Sequence, residues 1–120
     1  MVSSLAQRVS EVPDAFAHSE CSTVSLLKQA GYLDRPQALT VGDVEEALAR
    51  EPNLAELWLE RGHDQRLTGG WGIECSRGHY RVVCYANGRN QIEQDRLHAT
   101  AEFIVRYVGF IAEVVRRHPH

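Results

Sequence analysis

Residues 95–118 are the stretch that most constrains what this chain can fold into. At 100° per residue, Ala101, Ile104, Val105, Val108, Ile111, Ala112 and Val115 share one face of a helix of about six turns. Phe103, Tyr107, Phe110 and Val114 form a second apolar face beside it. Water is left a narrow strip of Glu102, Arg106, Gly109, Glu113, Arg116 and Arg117. Within that strip Glu102–Arg106 and Glu113–Arg117 stand at the supportive i,i+4 spacing. A helix apolar over roughly 220° of its circumference must be covered on two sides. The cover is either a sheet with other helices or a second subunit, so the Phe103, Tyr107 and Phe110 face also suits a homodimer seam.

The N-terminal half reads as short helices. Val2, Leu5, Ala6, Val9 and Val12 recur at helical spacing, predicting a helix over 3–12 that Pro13 stops. A second helix is expected over 22–30, with Gly31 as its left-handed C-terminal cap and Tyr32 and Leu33 folding back onto it. Thr40 is a natural N-cap for a helix over 41–50 that buries Val41, Val44, Ala47 and Leu48. Asn53 is suited to cap the next, 54–61, whose Leu54, Leu57, Trp58 and Arg61 share a face and which Gly62 closes.

The apolar period then drops from 3.6 to 2. Trp71, Ile73 and Cys75 alternate with polar or small residues, as do Tyr80, Val82, Cys84 and Ala86, around a turn centred on Arg77-Gly78. One register pairs 75 with 80, 73 with 82 and 71 with 84. It makes every inward pair apolar and sets Glu74 opposite Arg81 on the other face. Asn87-Gly88 signals a second turn, with a short third strand over 89–93, and Leu67 and Thr68 suit another edge strand. The expected fold is therefore α+β over one domain, residues 1–120: a small antiparallel sheet (hairpin 71–86 plus one or two edge strands) packed on the long C-terminal helix, with several short N-terminal helices.

Composition narrows the function classes. No apolar run approaches the 18 or so residues that span a bilayer, and the first eight residues lack the pattern of a secretory signal. The odd count of three cysteines fits a reduced, cytoplasmic setting, and twelve arginines against one lysine suit a GC-rich bacterial genome. Residues 1–60 carry ten acids and four bases, residues 61–120 six acids and nine bases. The densest acidic run, 43–60, sets Glu45, Glu46 and Glu56 among six carboxylates opposed by Arg50 alone. That face argues against nucleic acid and for a basic protein partner.

Three groupings have residue types that could do chemistry. Cys75, His79 and Cys84 resemble a zinc set, but the hairpin register holds the two thiols about 13 Å apart, too far for one ion or a disulfide. No metal or cofactor is expected, and these cysteines are expected to be buried and reduced. His18 and Cys21 lack any surrounding nucleophile signature. The run from Trp58 to Trp71 gathers His63, Asp64, Gln65 and Arg66 between two tryptophans, residue types that dominate binding surfaces and, for His63 and Asp64, serve acid–base work. The expectation is a non-enzymatic protein-binding module of antitoxin, immunity or adaptor type, using Trp58, His63, Asp64, Gln65, Arg66, Trp71 and the acids Glu45, Glu46 and Glu56. The alternative is a small enzyme with a polar site around His63, Asp64 and Arg66.

Overall fold

In the computed structural model, which describes residues 4–17, 22–63, 71–84, 88, 90–93 and 95–117, the elements follow as α1 (Ser4–Ser10), α2 (Val12–Ala17), α3 (Thr23–Gln29), a 3-10 turn (Pro36–Ala38), α4 (Val41–Arg50), α5 (Pro52–His63), β1 (Trp71–Ser76), β2 (His79–Cys84), β3 (Asn90–Glu93) and α6 (Arg96–Arg117). This is the α+β arrangement expected, with short helices preceding an antiparallel sheet and a long closing helix.

Local signals account for most of the element ends. Ser22 Oγ accepts the Ser25 N–H at 3.1 Å to begin α3, and Thr40 Oγ1 accepts the Asp43 N–H at 3.2 Å to begin α4. After α3 the chain closes in a Schellman pattern. Gly31 takes φ +83°, its N–H donates to Lys28 O at 3.0 Å, and the Tyr32 N–H donates back to Leu27 O at 3.1 Å. Tyr32 is thereby turned into the core, with its hydroxyl near α6 at Gly109, and burial pushes its phenol up to about 12.

Several expected helix boundaries, at Pro13, Asn53 and Gly62, fall elsewhere. Pro13 does not end helical structure: α1 stops at Ser10, and Pro13 lies in the first turn of α2, where its missing N–H costs nothing. Pro52 likewise opens α5, with Glu51 O accepting the Leu54 N–H at 3.0 Å, so Asn53 lies inside the helix instead of capping it. Gly62 does not close that helix, which runs on to His63.

The hairpin has the expected register: Cys75 with Tyr80, Ile73 with Val82, Trp71 with Cys84, and Glu74 with Arg81. β3 adds antiparallel to β2, giving the order β1-β2-β3. The proposed edge strand at Leu67 and Thr68 lies outside the described residues. Ile73, Val82 and Cys84 are buried on the face turned to α6. Cys75 is exposed, not buried as expected, because it stands one pair from the turn at the hairpin's free end.

The connecting loop has two residues, Arg77 at φ +51° and Gly78 at φ +79°, as a type I′ turn requires. Arg77 is the one non-glycine at positive φ among the described residues, and a Cβ there strains the backbone. Arg77→Gly is therefore expected to raise stability by about 1 kcal/mol in urea titration. A loss of stability would mean that the arginine side chain holds the turn.

Helix α6 is the centre of the packing, with the sheet on one side and α4 and α5 on the other. α1 packs on α4, and α2 on α3 and α5. Ala101, Phe103, Ile104, Tyr107 and Val108 are sealed off, but the cover fades after Val108. Phe110, Ile111, Ala112 and Val115 are half-buried and Val114 is 41% exposed. Ile111 is therefore less buried than its place on the stripe predicts. The second apolar face is filled within the chain by Trp58, whose ring meets Phe103 at 6.1 Å and Tyr107 at 6.0 Å edge-on.

Candidate functional site

The N-terminal half of α6 carries the densest set of interacting polar side chains among the described residues. Asp95 starts the helix by accepting the Leu97 N–H at Oδ1, 2.9 Å away. The next residue, Arg96, pairs with Glu56 of α5. His98 follows with its ring between two carboxylates: Nδ1 is 3.5 Å from Glu45 Oε2 on α4, and Nε2 is 3.8 Å from Glu102 Oε1 on α6 itself. Glu102 turns its other oxygen to Arg106 Nε at 3.3 Å. Arg106 then donates to Gln91 Oε1 of β3 at 3.2 Å and lies 5.0 Å above the Trp71 ring of β1. The row joins α4, α5, α6 and two strands along one flank.

This geometry limits the chemistry. Glu102 is the most enclosed member, its side chain 16% exposed, while His98 and Glu45 are about one-third exposed. A neutral imidazole has one N–H and one lone pair, so it can donate to only one of the two carboxylates, whereas the protonated ring suits both. The carboxylates address opposite ring nitrogens, so they do not converge with His98 on a point where one ion would sit. Among the described residues no cluster of three His, Cys, Asp or Glu side chains is placed to hold a metal.

Of the residues singled out in the sequence, Glu45, Glu56 and Trp71 meet on this flank through α6 partners. Glu46 is exposed on α4 beside them. Trp58 is fully buried on the other side, its Nε1 donating to Ser10 O at 2.9 Å, so it presents no surface to a partner. His63 ends α5, with only its backbone described, and Asp64, Gln65 and Arg66 lie outside the described residues.

His98, Arg96 and Gln91 did not stand out in the sequence. One local signal for His98 is present in the sequence: His98, Glu102 and Arg106 form an unbroken i,i+4 ladder, whose second rung is Glu102–Arg106. That rung forms, as does Glu113–Arg117 at 3.1 Å. The Arg116 hydrogen bond holds Glu113 below the usual carboxylate range.

No family model matches the chain, and no curated protein or solved structure matches it either. No helix among the described residues is long and apolar enough to cross a membrane.

Proposed function

We propose that this chain is a non-enzymatic bacterial protein-binding module of antitoxin, immunity or adaptor type, acting in the cytoplasm on a basic protein partner. The observation that carries this reading is the net acidic charge of the α4–α5 flank. Of the six carboxylates between 43 and 60, Glu56 pairs with Arg96 and Glu45 faces the one-third-exposed ring of His98, and the stretch itself carries one base, Arg50. Glu46, Glu51 and Glu60 are exposed, and the Glu56 side chain is 70% exposed even with Arg96 beside it. A field of this sign steers a basic partner and disfavours nucleic acid. Trp71, partly buried at the edge of the same flank, offers the aromatic contact that an anchor requires. The free thiols Cys75 and Cys84 accord with a reducing compartment.

The structure changes which charges best test the reading. Reversing Glu45 or Glu56 would set a lysine against His98 or Arg96, mixing folding with binding. Glu60→Lys avoids both pairs. After the partner is captured from the native cell and identified, this variant is expected to associate about threefold more slowly at low salt, with a flatter salt dependence and an unchanged melting temperature. Unchanged association would sink the acidic-flank reading.

The enzyme alternative rests in the sequence on His63, Asp64 and Arg66. A different residue favours it among those described, namely His98, which is held between carboxylates as a general base would be. Turnover of any small-molecule substrate that His98→Ala abolishes, in a variant that folds normally, would support it over the binding reading.

A further inference from the structure

The face of the sheet turned away from α6 has the opposite sign. Side-chain alternation places Glu74 of β1, His79 and Arg81 of β2 and Ile92 of β3 on that face, and Arg77 stands at the hairpin tip above them. Together they line a shallow cavity of about 280 Å³. Glu74 is its only carboxylate among the described residues, and it pairs with Arg81 at 2.5 Å. Ile92, directly across the ladder from Arg81, is 65% exposed.

We propose that this face binds an acidic peptide segment in extended conformation, a partner distinct from the basic one steered to the α4–α5 flank. Charge complementarity names the occupant, since two guanidinium groups and an imidazole surround the cavity against one carboxylate. Guanidinium forks match carboxylates in geometry as well as charge. Ile92 adds an apolar contact beside them, which suits a strand whose acidic and apolar side chains stand two residues apart, on the one face it turns to the sheet. Single-stranded nucleic acid fits less well, because among the described residues no Phe, Tyr or Trp ring lines the cavity as a platform for bases. The backbone agrees with this assignment. An arginine occupies the positive-φ site of the turn, where glycine or asparagine would be less strained, and it is the cation nearest the tip.

The test uses the full chain and a labelled peptide repeating glutamate-serine-valine-serine, titrated by fluorescence anisotropy at low and at physiological salt. Binding is expected at low salt, and Arg77→Glu with His79→Glu is expected to weaken it about tenfold or more. Both side chains are exposed, so thermal melts should show that variant folded. Arg77→Gly provides the second arm: it should melt higher than the parent and still bind the peptide more weakly, which separates the cation's role from folding. Absence of binding by the parent chain, equal binding by the double variant, or tighter binding of a single-stranded oligonucleotide of equal charge would each overturn the proposal. None of these outcomes bears on the α4–α5 flank, whose test uses other residues.

Discussion

Trp58→Ala is expected to destabilise the protein by about 3–5 kcal/mol, a large share of the roughly 5–15 kcal/mol that holds a domain folded. Trp58 is the largest fully buried side chain among the described residues. It packs edge-on against Phe103 and Tyr107, which lie 5.5 Å apart on α6. Its indole N–H also ties α5 to the carbonyl of Ser10 at the end of α1. Truncation therefore opens a cavity at the junction of three helices and strips the donor from a buried carbonyl. Trp58→Phe separates the two losses, since it keeps most of the ring and removes the N–H, and should cost about 1–3 kcal/mol from the orphaned Ser10 O. Urea titration measures both variants. A loss below about 1 kcal/mol for Trp58→Ala would place the tryptophan at the surface and restore it as a binding anchor.

The second large effect is a contrast along α6. Ile104→Ala should cost about 2–5 kcal/mol, because Ile104 is wholly buried on the helix that the sheet, α4 and α5 pack against. Ile111→Ala, two turns on along the same stripe, should cost only about 1 kcal/mol, because its side chain is half-exposed and little cavity remains. Denaturant titration at two protein concentrations decides between two states of the helix end. A cost at Ile111 that stays small and independent of concentration means that the last two turns are simply solvated. A cost that grows with concentration means that a second copy covers them, which is the homodimer through the C-terminal helix confined to Phe110, Ile111, Val114 and Val115.

The candidate site was legible only where its contacts are local. Glu102–Arg106 follows from spacing within one helix, whereas His98–Glu45 joins residues 53 apart and Arg96–Glu56 residues 40 apart. Trp58 shows the same limit from the other side. A tryptophan near polar residues is compatible with a binding surface or a core, and its neighbours in the chain do not choose between them. The choice was made by Phe103 and Tyr107, more than forty positions away.

The residues by themselves determined the features that depend on near neighbours. The caps at Thr40 and Gly31 involve groups three to five residues apart, and the register of β1 and β2 is forced because a slip by one residue would turn Ile73 and Val82 to water. The wide apolar circumference of α6 likewise required cover on two sides before any partner element was known. Only the tertiary structure decided which elements supply that cover and where it ends. The 3.6-residue stripe runs through Ile111 and Val115 without a break, but burial needs a facing surface, and the cover is complete only as far as Val108. Where Pro13 falls relative to a helix start, which acids find cations and which tryptophan is sealed off have the same origin. Each depends on the direction in which one packed element meets another, and the sequence pattern within an element does not encode that direction.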